Sequence, residues 1–215
     1  MTVPGRVDAA SLLLSLDPEA WFMRHARAVA EIAAWLAARI EARGVAVDCR
    51  LVESAALLHD VDKTLPPNDP LRALPHGEGS AAWLTKAGHP ELARAVASHP
   101  VSRLRDGEGF RQWAAFASRE ERIVAYADKR AGQRLESMDD RFESWRRRYP
   151  PVAGDRLDGA WNDATFRAIR ARATRLEADV CRAAGVAPRD VRRLAWTGTA
   201  IEEARRAARG AVATP

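Results

Sequence analysis

Apolar residues recur at three- and four-residue steps almost throughout the chain, and no segment alternates with a period of two. Asp17-Pro18-Glu19 reads as an N-cap, a first-turn proline and an early acid. From there Trp21, His25, Val29, Ile32, Leu36 and Ile40 form one stripe, and Gly44 ends the helix. Asp48 caps a second helix with Leu51, Val52, Ala55 and Leu58 on its apolar side. Thr64 to Pro75 holds four prolines and reads as a loop. A helix follows His76 and stops at Gly88. A short one runs from Pro90 to His99-Pro100, where proline pushes the preceding residue out of the helical region. Asp106 to Gly109 reads as a turn. Ser118 to Ala131 forms a helix with Ile123, Val124, Ala127 and Asp128 on one side. Two more are predicted, about Ser137 to Tyr149 and Asp158 to Ala184, parted by Pro150-Pro151. Pro188 to Ala195 adds a short one, and the end from Ile201 is helix-permissive and prone to fraying.

This pattern predicts an all-α fold, with a core over 1–150 and a C-terminal helical extension over 151–215 packed on it. At 215 residues one core suffices, without disulfide or metal merely to stay folded. The 47% hydrophobic and 29% charged content excludes a disordered chain. No apolar run reaches the roughly 20 residues of a membrane span. Ala9 to Leu16 is apolar but lacks the flanks of a signal peptide. Cys49 and Cys181 form neither a paired metal motif nor a disulfide framework, so a cytoplasmic setting is expected.

Charge changes the picture in two ways. The net +5 is uneven, +1 over residues 1–135 and +4 over 136–215. An Arg-rich solvated surface accounts for that, although Arg141, Arg146, Arg147 and Arg148 would also widen an anion-binding face. Second, only three of the 34 basic residues are lysines: Lys63, Lys86 and Lys129. Two of them stand beside the residues that carry chemistry.

His25 lies on the apolar stripe of its helix, and His59 falls four residues past Ala55 with Asp60 next. Asp128 falls four past Val124. A lone core histidine is ordinarily a packing residue. Buried carboxylates, however, are costly unless paired or bound to a cation, and imidazole with carboxylate is a common metal-donor set.

Arg24-His25, Leu57-Leu58-His59-Asp60-Val61-Asp62-Lys63 and Ala125-Tyr126-Ala127-Asp128-Lys129 together resemble the H…HD…D signature of the HD-domain phosphohydrolase superfamily, over about residues 20 to 135. The resemblance implies an HD-domain helical bundle with a metal held by His25, His59, Asp60 and Asp128. His76 and His99 add a pair found in six-ligand members such as bacterial symmetrical dinucleoside-tetraphosphatases. That branch would hold two divalent ions, the second on His76 and His99 with Asp60 bridging. Iron or manganese is favoured by the family; cobalt, nickel, zinc or magnesium would also suit.

The chemistry so implied is hydrolysis of a phosphoester or phosphoanhydride of a nucleotide or dinucleoside polyphosphate by a metal-bridged hydroxide. Asp60 and Lys63 are the catalytic candidates. Lys63, Arg103, Lys129 and Arg130 are the substrate-binding ones, although Lys129, one residue past Asp128, should point away from the pocket. Arg134 is a weaker candidate. Asp62 would orient a histidine or shuttle a proton. His89, in Gly88-His89-Pro90, matches no family position and reads as an exposed turn residue.

The expected partner is a small phosphate substrate, with no membrane and no nucleic acid; a homo-oligomer is compatible. Two rival readings share these residues. One is an HD-fold mixed-valent di-iron oxygenase. The other is a metal-stabilised nucleic-acid-binding module using the basic C-terminal region.

Overall fold

The computed structural model describes residues 3–150 and 161–212. Ten α-helices, joined by loops and short 3-10 turns, dominate the described residues, and no strand occurs among them. In chain order they are α1 (Arg6–Leu14), α2 (Ala20–Glu41), α3 (Cys49–Leu58), α4 (Glu78–Lys86), α5 (Ala93–Ala97), α6 (Gly107–Phe116), α7 (Arg119–Lys129), α8 (Met138–Arg148), α9 (Asp163–Ala184) and α10 (Thr197–Val212). The all-α expectation holds. None of the described helices is long and apolar enough to cross a membrane.

α2 is the centre. Six of its alanines, at 26, 28, 30, 33, 34 and 37, are buried together with Val29, Ile32, Leu36 and Ile40. Small side chains on several faces let other helices approach closely. α3, α7 and α9 all pack against it. Each buried Ile or Leu there contributes about 1.5–3 kcal/mol of transfer free energy.

Several boundaries differ from the sequence expectation. Asp17 does not cap α2; it sits at φ 45°, and the helix begins at Ala20 after Glu19. Trp21 is not on the core stripe but 41% exposed, and Phe22 takes the buried position. Asp106-Gly107-Glu108-Gly109 is the start of α6: the Asp106 carboxylate accepts from the backbone N–H groups of Glu108 and Gly109. α1 was not predicted. α9 starts after Asn162, whose side chain accepts from Thr165 N, and the predicted start at Asp158 lies outside the described residues. Pro188–Asp190 forms only a 3-10 turn, and α10 begins at Thr197 rather than Ile201.

The C-terminal helices close the bundle. α9 packs on α2 and α7, while α10 packs on α1 and touches α2. Arg6 of α1 grips Glu53 of α3 in a two-pronged ion pair at 2.7 and 2.6 Å, and its guanidinium lies 5.1 Å from the Trp196 ring centre.

Candidate metal centre

Three chain breaks aim the key side chains inward. α3 ends at Leu58, and His59 turns its ring back so that Nδ1 donates to the Ala56 carbonyl at 2.8 Å. His99 repeats the device after α5, with Nδ1 donating to Val96 O at 2.6 Å. Between them, Asp60 leaves the helical region and leads into the 3-10 turn Val61–Thr64, which swings Asp62 beneath His76. Asp62 Oδ2 accepts from His76 Nδ1 at 2.9 Å and from Gly77 N at 3.2 Å.

Glycine permits this approach. Gly77 sits at φ +87°, and a Cβ on Gly79 would run into the Leu71 carbonyl and meet Asp62 Cβ at 3.1 Å. His25, on α2, donates from Nδ1 to the Gly132 carbonyl at 2.7 Å.

All four histidines thus commit Nδ1 outward, which leaves each Nε2 aimed at one centre. The structure brings together all six residues singled out as metal ligands. Asp60, 1% exposed, sits in the middle. Its Oδ2 lies 3.4 Å from the Nε2 atoms of both His25 and His59; its Oδ1 lies 3.0 Å from His76 Nε2 and 3.2 Å from His99 Nε2. Asp128 Oδ1 is 3.5 Å from His25 Nε2 and 3.9 Å from His59 Nε2.

The donor chemistry fits divalent ions. Three overlapping groups, His25/His59/Asp128, His59/Asp60/His99 and Asp60/Asp62/His76, each keep their donor atoms within 4.8 Å of one another. His25 and His59 face each other Nε2 to Nε2 at 3.2 Å, as do His76 and His99. Two ring lone pairs that close are stable only with positive charge between them. Asp62 Oδ1 is also buried without a hydrogen-bond partner among the described residues.

Electrostatics follow the same geometry. Burial pulls the His25 pKa down, but hydrogen bonds to Asp128 and Asp60 overcome it and hold the ring at about 9. His76 likewise reaches about 9, burial being outweighed by Asp60 and Asp62. His99 goes the other way, to about 4, because burial outweighs its bond to Asp60 and the neighbouring imidazoles repel a second charge. Burial opposes ionisation of Asp60 and Asp128, yet both stay well below the usual carboxylate range. His59 and Lys63 do this for Asp60, and Lys129 and His25 for Asp128.

The other candidates separate. Lys63 Nζ is 2.6 Å from Asp60 Oδ2, with its side chain half-exposed at the cavity. Lys129 does not line the cavity that Lys63 lines. Its ammonium is buried against Asp128 Oδ2 at 3.1 Å and the His99 carbonyl. A four-carbon stem bends back where a helix position alone points elsewhere. Arg130 is not a free substrate contact: it is buried and bonds Tyr126 Oη at 2.5 Å, Glu136 O at 2.9 Å and Pro188 O at 3.0 Å, tying α7 to the C-terminal segment. Arg103 is exposed and paired with Glu78 at 2.6 Å; it lines a separate cavity of about 400 Å³ behind His99. His89 is half-buried rather than exposed, 3.4 Å from Glu91, and outside the cluster.

A cavity of about 420 Å³ opens over the centre, walled by His25, Asp60 and Lys63, by Trp21, by residues 132–134 and 136, and by Arg141, Ser144 and Arg148. The sequence reading missed Trp21 as a wall and the Gly132 carbonyl as the anchor of His25. Backbone carbonyls carry no residue signature. Nearby, Arg24 donates from Nε to the Gln133 side chain at 2.5 Å, which holds the 131–136 turn against α2.

Residues 22–132 match the model of the HD domain family, HD domain, which covers more than half of the chain. No curated protein and no solved structure gives a match.

Proposed function

The chain belongs to the HD-domain family, whose members are in general metal-dependent hydrolases, and from that premise we propose that it cleaves a phosphoester or phosphoanhydride of a nucleotide or dinucleoside polyphosphate. The observation that carries this reading is Asp60: one buried carboxylate presents each oxygen to a different pair of histidines. We assign His25, His59, Asp60 and Asp128 to one divalent ion, and His76 and His99 to a second that shares Asp60. Ions bound there would supply Lewis-acid polarisation of phosphoryl oxygens and acidify water.

The chain's own residues do the rest. Gly132 O, Ala56 O, Val96 O and Asp62 lock the four imidazoles in the tautomer that offers Nε2. Lys63 balances Asp60 and extends a cation to where a phosphoryl oxygen would sit. Lys129 neutralises Asp128 from behind. Trp21 supports the nucleotide part of the reading, since its indole lines the cavity and is open enough for a base to stack on.

The test is a screen of the metal-reconstituted full-length protein against nucleoside mono-, di- and triphosphates, dinucleoside polyphosphates and simple phosphodiesters. Metal-dependent release of phosphate or nucleotide is expected. Silence across the panel with manganese, iron, cobalt and zinc removes the proposal.

Proton linkage gives a second check. In the protein alone His25 and His76 keep their protons up to about pH 9, above the ordinary imidazole value of 6.5. The stability they contribute is complete below 6.5 and is lost as pH rises through 9. Ions must displace those protons, so metal binding strengthens over the same interval. Thermal melts of metal-stripped protein should therefore fall from pH 6.5 to 9, while the rise on adding Mn²⁺ grows. A metal increment that shrinks with pH contradicts the ligand assignment.

A further inference from the structure

α8 carries four arginines, and the structure sorts them into two sets. Ser137 caps the helix by accepting from Asp140 N, and Met138 and Phe142 bury one face in the core. Arg146 is drawn to Asp163 at 2.6 Å and lies 5.3 Å from the Phe166 ring, and Arg147 pairs with Glu143 at 3.3 Å.

Arg141, Ser144 and Arg148 follow one another at steps of three and four, so they share a face. That face forms the outer wall of the cavity over the metal centre, with Arg134 of the preceding turn beside it. Among the described residues, neither Arg134, Arg141 nor Arg148 makes an ion pair, and Arg141 Nε is buried without a hydrogen-bond partner. The acids lining the cavity are Asp60, which already faces Lys63, and Glu136. Three cations facing one cavity repel each other and are stabilised by an anion that spans them. A guanidinium takes a phosphate bidentately and keeps its charge at any working pH.

We propose that Arg134, Arg141 and Arg148 form a subsite for the non-reacting phosphates of a polyphosphate chain whose reacting phosphate lies at the metal centre. This rests on the phosphohydrolase reading and narrows it. The favoured substrates carry several linked phosphates, and simple monoesters, which reach only the centre, are handled poorly.

The test titrates full-length protein with inorganic triphosphate by calorimetry, in EDTA so that neither hydrolysis nor metal chelation contributes. The double variant Arg141→Gln/Arg148→Gln should bind triphosphate about ten- to a hundredfold more weakly, as expected for losing two charge-assisted contacts. Triphosphate binding by Arg146→Gln should stay within about twofold of wild type, because Arg146 is held by Asp163 and does not line the wall.

Triphosphate binding by the double variant within about twofold of wild type overturns the subsite, as does an equal loss in Arg146→Gln. Should the double variant not fold, Arg134→Gln carries the test by the same criterion. If the binding splits as expected in a protein that hydrolyses nothing when metal-loaded, the subsite stands and the phosphohydrolase reading falls. Nucleotide hydrolysis at an unchanged KM in the double variant sinks the subsite alone.

Discussion

Replacing Asp60 by asparagine should lower kcat/KM by more than about 100-fold, the upper end of what losing a group that merely orients a metal-bound histidine costs. The two side chains are nearly the same size, so packing is kept. The chemistry is not. Asp60 offers an acceptor oxygen to the Nε2 atoms of His25 and His59 on one side and of His76 and His99 on the other. An amide puts N–H donors on one of those sides and removes the negative charge that faces Lys63 at 2.6 Å. The variant should also retain less metal by elemental analysis after reconstitution. Undiminished turnover with a full metal complement would show that Asp60 neither shares ions nor takes part in the reaction.

Glu31→Ala should cost folding stability of about 3 kcal/mol, the low end for breaking a buried ion pair because Arg193 is partly exposed. Glu31, on α2, is 2% exposed. It accepts from Arg193 Nε at 2.8 Å and Nη2 at 2.5 Å and from the Thr197 hydroxyl, and its own carbonyl accepts from Leu194 N at 2.9 Å. This one residue thus fastens the segment leading into α10 onto the central helix. In a chain this size the midpoint should fall by about 6–12 °C. Limited proteolysis should cut first near 191–197. A melting temperature equal to wild type would mean that α10 is held by its contacts with α1 alone.

Legibility differed from residue to residue. His25, His59 and Asp128 could be placed inward because each shares a helical face with apolar residues, and 3.6-residue periodicity reports facing without knowledge of the fold. His76 and His99 follow a loop and a helix end, where no periodicity applies; the family resemblance singled them out, and geometry brought them to Asp60. Helix position directs Lys129 away from the cavity, but it fixes only Cβ, and the long flexible stem still returns the ammonium to Asp128. α1 went unread because Leu12, Leu13 and Leu14 form a run rather than a stripe. Gly107 and Gly109 hid α6 by mimicking a turn, although Asp106 beside them is a strong cap.

From the order of its residues alone, then, this chain determined an all-helical fold and a set of imidazoles and carboxylates destined for its interior. Both follow from local periodicity and from the cost of burying charge. Tertiary structure decided what lies across space. It set the Gly132 carbonyl behind His25 and Asp62 behind His76. It consumed Arg130 in a tether between α7 and the C-terminal segment. It also turned one face of α8 toward the histidine–aspartate cluster, so that Arg141 and Arg148 line the cavity while Arg146 and Arg147 are neutralised elsewhere. Such pairings join residues up to about a hundred positions apart, and only the packing angles of whole helices settle which side chains meet.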